Sequence, residues 1–265
     1  VTVEHSGTEI DSVPGPTNRP RIVGFIPARA ESTRFPGKPL ADILGKPMIM
    51  WVYERSLRSA TLSDAYVATD SQEICDAVDR CGGKAIMTST SHSTGTDRVA
   101  EAARSAGLAG GDIAVNIQGD QPLMDPTMVD EVVKPLLEDP SIPMSTLIYR
   151  IVREEEINHP NAVKTVFDRE GFALYFSRGT IPYYRDDRSS MNYYKHHGIY
   201  AYRNDSLQRF AALPHGVLEM SERLEQLRAL EYGFRIKVIL TEKDSIEVDT
   251  PADLQRVREE ASKID

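Results

Sequence analysis

Cysteine is nearly absent: Cys75 and Cys81 are the two in 265 residues. They lack the paired CxxC spacing of a zinc site, so both read as buried or incidental thiols. No run of about 18 apolar residues occurs, and the N-terminus has no charged-then-apolar signal pattern. Neither a membrane span nor a secretory route is expected, and the cytoplasm is the default location. There is no block of Lys or Arg, and 31 basic against 40 acidic residues leave a net charge of -9. That balance excludes a nucleic-acid partner held by phosphate neutralisation. Any anionic substrate must instead be gripped by locally gathered cations. The phosphate loop GxxxxGK[ST], the dinucleotide turn GxGxxG, internal repeats and low-complexity tracts are missing as well.

What is present is a chain with 40% hydrophobic and 27% charged residues, able to bury a core as one large domain or as a domain with an inserted lobe. Residues 1–20, with Pro14, Pro16 and Pro20 and no sustained period, read as a loose extension. From Ile22 short apolar runs alternate with amphipathic stretches: IVGFIPA, DAYVATD, AIMTS and DIAVNIQGD as strands, MIMWVYERSLRSA, EICDAVDRCGG and TDRVAEAARSAG as helices. Such alternation implies right-handed crossovers and a mostly parallel sheet. Chemistry then belongs at the carboxyl ends of the strands, where IPARAESTRFPGKP, ATD, SHSTGTDR and QGDQP converge on one crevice.

The second half (MSTLIYRIV, AVKTVFD, FALYFSRG, HHGIYAYR) alternates more and is richer in aromatics, as antiparallel or mixed strands are. It is expected to form a smaller lobe over about 151–235, after a nucleotide-binding half over about 21–150. LEMSERLEQLRALEYG, with leucines at 218, 224, 227 and 230, reads as one helix ending at Gly233. RIKVILTE follows as a strand and TPADLQRVREEASK as the last helix.

Three cations, Arg29, Arg34 and Lys38, stand among small residues straight after the first strand. A triphosphate needs such a loop, because backbone N–H groups cradle the anion while Arg and Lys neutralise it. The plain alternative is a solvated basic loop. Asp120 closes a buried strand, where a carboxylate is costly unless it faces a crevice or a cation. Asp249 reads either as a helix cap or as a free carboxylate, since Thr250, Pro251 and Asp253 can cap that helix instead. Two carboxylates from distant strands suit a hard cation that also touches phosphate.

The string IPARAESTRFPGKPLADILGKPMIMWVYER resembles the opening of the CMP-Kdo synthetases, Kdo being 3-deoxy-manno-octulosonate. The likeness continues in order through VATD, HSTGTDRVAEA, VNIQGDQP, NAVKTVFDREGFALYFSRGTIPY, KHHGIYAYR, LEMSERLEQLRALEYG and VDTPADLQRV, covering roughly residues 21–258. It implies an α/β fold of the nucleotide-diphospho-sugar transferase kind: a twisted, mixed, mostly parallel sheet flanked by helices, with a smaller substrate and dimerisation lobe. The implied activity is a CTP-dependent cytidylyltransferase that uses Mg2+, works as a homodimer and transfers CMP to a small anionic acceptor with release of pyrophosphate.

By resemblance, Arg29 and Lys38 hold the triphosphate, Ser32 and Arg34 shape its loop, and Ala28, Thr69, Asp70 and Gln118 complete the nucleotide site. Thr94, Gly95, Thr96 and Arg98 surround the cytidine; Thr96-Asp97-Arg98 also reads as an ordinary first helical turn. Asp120 and Asp249 hold the metal. Arg178, His196, Tyr200, Glu222, Glu225 and Gln226 face the acceptor, although a Tyr in an alternating strand also reads as core and a Glu on an amphipathic helix as its solvated face. Two residues depart from the family's strings: Gln121 where QGDEP is usual, and Glu247 where Gly usually precedes ValAspThrPro. Both bear on which anion the pocket tolerates. Kdo or a related 2-keto sugar acid leads as acceptor, a small phosphonate such as phosphonoformate follows, and a catalytically silent nucleotide-sensing protein on the same fold is the reading from another class.

Overall fold

The computed structural model describes residues 19–29, 35–185 and 192–264. Ser32, Arg34 and nearly all of the expected N-terminal extension lie outside them. The chain runs through β1 (Ile22–Ala28), a 3-10 turn at Lys38–Leu40, the short hairpin β2 (Asp42–Ile43) and β3 (Lys46–Pro47), α1 (Met48–Ser56), β4 (Asp64–Thr69), α2 (Gln72–Arg80), β5 (Ala85–Met87), α3 (Gly95–Ser105) and β6 (Ile113–Asn116). It continues through α4 (Thr127–Glu138), β7 (Met144–Arg150), α5 (Glu154–Asn158), β8 (Lys164–Phe167), β9 (Ala173–Ser177), β10 (Tyr194–Arg203), α6 (Asn204–Ala211), α7 (Val217–Glu222), α8 (Gln226–Glu231), β11 (Ile236–Thr241) and α9 (Pro251–Ala261).

Among the described residues nine strands make one sheet in the order β11-β7-β10-β6-β1-β4-β5, with β8 on β10 and β9 on β8. β6, β1, β4 and β5 run parallel, as do β11 and β7, while β10 is antiparallel to both β6 and β7. The mixed, mostly parallel sheet expected from the alternating pattern is therefore the one observed. Strand period decides which side chain goes where. Ile22, Ile26, Val115 and Ile199 pack with α1, α2 and α4 on one face, and Val23, Phe25, Ala114 and Tyr202 with α3, α6 and α8 on the other. β10, from the second half, sits at the centre of the sheet, so both halves share these two cores. A third cluster, Ile43, Met48, Val248, Leu254 and Val257, clamps α9 against the β2–β3 hairpin.

The single helix expected over residues 218–233 is two short ones. Arg223 takes φ 54 and ψ 46 at the end of α7. Arg178 stabilises the break by donating to the carbonyls of Glu222 (2.7 Å) and Arg223 (3.3 Å), the groups a continuing helix would have bonded. Two helices absent from the sequence expectation, α4 and α6, cover the sheet; Pro135 in the last turns of α4 had obscured its periodicity.

Candidate active site

β1 leads by crossovers to β4 and β5 on one side, and the chain then returns to place β6 on the other. A crevice opens at such a reversal, outside the carboxyl ends of the strands that flank it. Here it holds a 370 Å³ cavity and a 150 Å³ one that share Pro27, Gln118 and Asp120. Two glycines let backbones close on it. A Cβ at Gly119 would meet the Pro27 carbonyl oxygen at 3.1 Å, and one at Gly198 would meet the Gln118 side chain at 3.0 Å. Gly198 lies where β10 slips register against β7, and its carbonyl accepts a 2.6 Å bond from Gln118 Nε2.

The smaller cavity carries the cations: Ala28, Arg29 and Lys38 line it with Gln118 and Asp120. Lys38 Nζ donates to Asp120 Oδ2 (2.9 Å), to the Val248 carbonyl (2.7 Å) and to Asp249 Oδ1 (3.5 Å). The Val248 N–H in turn donates to the Asp120 carbonyl at 2.9 Å. The loop after β6 and the strap before α9 are thereby tied together with both carboxylates on one cation. Thr250 caps α9 with Asp253 in a reciprocal capping box and Pro251 fills the first turn, which leaves the Asp249 side chain to the site.

The two departures from the family pattern touch. Gln121, fully buried, donates from Nε2 to Glu247 Oε1 at 3.1 Å. Burial, followed by the neighbouring charge of Asp120, pushes the Glu247 carboxyl up to about 7, against the pull of the Gln121 bond.

The larger cavity has a wall of buried polar side chains. His196 and Tyr200 of β10 face it with ring centroids 5.2 Å apart. Burial and the adjacent His197 bring the His196 imidazole down to about 3, so it is neutral, and its Nε2 lies 3.0 Å from Thr146 Oγ1. The break after α7 turns Glu225 and Gln226 into the same space. Glu225 accepts from Thr96 Oγ1 (3.1 Å) and pairs with Arg228 (3.3 Å), yet burial still raises its pKa. Arg178 and Glu222 are spent on each other's surroundings: Glu222 accepts from Ser177 Oγ (2.6 Å) and the Arg178 N–H (2.9 Å), and neither side chain lines the cavity. In this structure they shape the turn that presents Glu225 and Gln226.

The chain matches the cytidylyltransferase family model over residues 23–239. A 3-deoxy-manno-octulosonate cytidylyltransferase of Syntrophus aciditrophicus is 62% identical over 239 residues, 90% of this chain and 96% of that protein. That of Desulfatibacillum aliphaticivorans is 54% identical over 237 residues, 89% and 97% of the two chains. The chain belongs to the cytidylyltransferase family. It is a nucleotidyltransferase. Among solved structures, a CMP:2-keto-3-deoxy-manno-octonic acid synthetase complexed with CTP is 43% identical, with a TM-score of 0.86 over 92% of this chain and 99% of that one.

Of the other residues expected around the nucleotide, four stand behind the cavity of this cytidylyltransferase: Thr69, Asp70, Thr94 and Arg98. Arg98, wholly buried, donates to Asp70 Oδ2 (2.6 Å) and Thr88 Oγ1 (2.5 Å). Thr69 accepts from the Ser71 N–H at 3.2 Å, and Thr94 caps α3 in a reciprocal box with Asp97. Gly95 and Thr96 reach the larger cavity; Thr69, Asp70, Thr94 and Arg98 do not line it. Three lining residues with polar side chains escaped the sequence reading: Asn116, Asn161 and Tyr202. Tyr202 was legible, standing two residues after Tyr200 on an alternating strand, and an amide ending the buried run IAVN was a signal for Asn116. Asn161 lies in a loop and offered none. No helix among the described residues is long and apolar enough to cross a membrane.

Proposed function

We propose that this cytidylyltransferase moves CMP from CTP to 3-deoxy-manno-octulosonate. The observation that carries the reading is the joining of two unlike cavities: Arg29 and Lys38 line the smaller, the neutral polar wall of His196, Tyr200 and Gln226 lines the larger, and the carboxylates of Asp120 and Asp249 meet on Lys38 where the two join. A triphosphate suits the first and a polyhydroxylated acid the second. The names and identities of the relatives favour this sugar acid over a phosphonate.

Arg29 and Lys38 grip the triphosphate, and Gly119 lets it approach the backbone. An acceptor hydroxyl oxygen then attacks the α-phosphorus in line as the bond to the β-phosphate oxygen breaks; pyrophosphate leaves and the hydroxyl proton is released. No protein nucleophile is needed, because positioning and charge supply the rate. Asp120 and Asp249 are an all-oxygen pair already gathered on one cation, and the described residues hold no cluster of three or more metal-ligating side chains. Such a pair fits Mg2+, which keeps waters and takes phosphate oxygens to fill its shell. Bound there, the ion would supply Lewis-acid stabilisation of the phosphate charge. Lys38 would then pass from the two aspartates to the nucleotide. Pairing as a homodimer belongs to the same proposal, and sedimentation tests it.

The experiment is pyrophosphate release with CTP and Mg2+, offering 3-deoxy-manno-octulosonate, a sialic acid and phosphonoformate separately. Release with the octulosonate alone supports the reading. Release only with phosphonoformate would transfer the enzyme to the other acceptor class.

A further inference from the structure

The larger cavity contains hydrogen-bonding atoms that nothing in the protein uses. Asn116 Oδ1, Tyr200 Oη and Gln226 Nε2 are buried without a partner of hydrogen-bonding geometry, and all three residues line the cavity. The Tyr200 phenol has the Thr146 hydroxyl beside it, which donates to the carbonyls of His197 (3.1 Å) and Ile199 (2.8 Å) and keeps lone pairs with which to accept; Asn116 Oδ1 and Gln226 Nε2 have no such neighbour. A buried acceptor left unpaired costs about 1–3 kcal/mol, and several such atoms around one cavity make a place where a ligand can recover that cost.

Asn116 is the informative member. It is the last residue of β6, 4% exposed, and stands directly across from Tyr200 of β10 in the antiparallel register. Cross-strand partners share a face, so the amide oxygen and the phenol form one row on the sheet. An apolar residue would pack better there, as Ala114 does one alternation earlier on the same strand. The carbonyl oxygen of Asn116 can only accept. It therefore calls for a donor, and a carboxylate or a phosphate has none to give at neutral pH.

We propose that Asn116 is a specificity-determining residue for the acceptor, receiving a hydrogen bond from one of its hydroxyl groups. The inference rests on the acceptor reading given above. It makes Asn116 the part of the pocket that asks for a hydroxyl, while the Tyr200 phenol and the Gln226 amide nitrogen can donate to the acceptor's other oxygens. A site built to bond a hydroxyl rejects the analogue that lacks it far more strongly than an apolar pocket rejects an extra group.

The test pairs analogues of 3-deoxy-manno-octulosonate, each lacking a single hydroxyl other than the one that attacks, with the wild-type enzyme and with Asn116→Ala, following pyrophosphate release and the two Michaelis constants. In the wild type, one analogue is expected to lose about 10- to 100-fold in kcat/KM. In Asn116→Ala the parent acid should fall to meet that analogue, the other analogues should keep their ratios to the parent, and KM for CTP should stay unchanged. Wild-type rates indifferent to every single deletion would overturn the proposal even if the variant failed to fold. So would a variant whose defect lies in KM for CTP, which would assign Asn116 to the nucleotide. Absence of turnover with the parent acid in the wild type would bring down the acceptor reading itself and this inference with it.

Discussion

The two ends of the joined cavity spend their polar atoms in opposite ways. At the charged end Lys38 uses its ammonium on two carboxylates and a carbonyl, so the site is held together before any substrate arrives. At the other end Asn116, Tyr200 and Gln226 keep buried atoms unpaired. The charged end must exchange partners to work, while the polar wall has only to gain them. Charge left uncompensated at low dielectric is far costlier than one missing neutral hydrogen bond, which explains why the cation is paired in the empty enzyme and the amides are not.

Breaking the charged end should have the largest effect. Asp120→Asn or Asp249→Asn is expected to lower kcat by about 1,000-fold or more while the urea midpoint holds; steady-state rates near wild type would remove both residues from the metal assignment. Lys38→Ala should cost about 100-fold in kcat/KM for CTP, with KM for the acceptor little changed. If the loss fell on the acceptor instead, the division between the two ends would collapse.

The wall is sharpened by pH. The His196 pKa is depressed from 6.5 to about 3, so the unfolded chain binds the extra proton and the stabilising contribution, complete above pH 6.5, is lost as pH falls toward 3. Between pH 7.5 and pH 5 the His196 contribution amounts to about 2 kcal/mol. His196→Asn should remove that share of the pH dependence from the urea-denaturation profile, while the contributions of His197, in the same direction, and Glu247, in the opposite one, remain. A variant profile parallel to wild type would mean that the imidazole is already charged. The smallest effect is expected from Tyr200→Phe: about 10-fold in kcat/KM for the acceptor, with folding stability little changed, because the Thr146 hydroxyl beside it keeps its own bonds to the carbonyls of His197 and Ile199. A marked loss of stability would show that the phenol serves the fold.

The sheet was legible because strand and helix periods alternate cleanly from Ile22 to Asn116. The charged end was legible for a related reason: Arg29, Lys38 and Asp120 stand in the loops that follow β1 and β6, where a sequence can be placed on a fold. What local pattern could not show was tertiary in origin. The break at Arg223 is stabilised by Arg178, and Pro135 hid the period of α4. The contact between Gln121 and Glu247 joins residues 126 apart in the chain. Asn116 shows the same limit in another form: its amide is visible in the sequence, but its missing partner appears only once the neighbouring strands are in place.

Lys38 and Val248 are 210 residues apart in the chain. During synthesis the triphosphate loop and almost the whole sheet emerge before the second carboxylate exists. A nascent chain that has passed β11 but not Asp249 carries the cations for a nucleotide without the acid pair that would let it react. The two carboxylates are therefore gathered late, when the strap between β11 and α9 folds back onto the first helical turn.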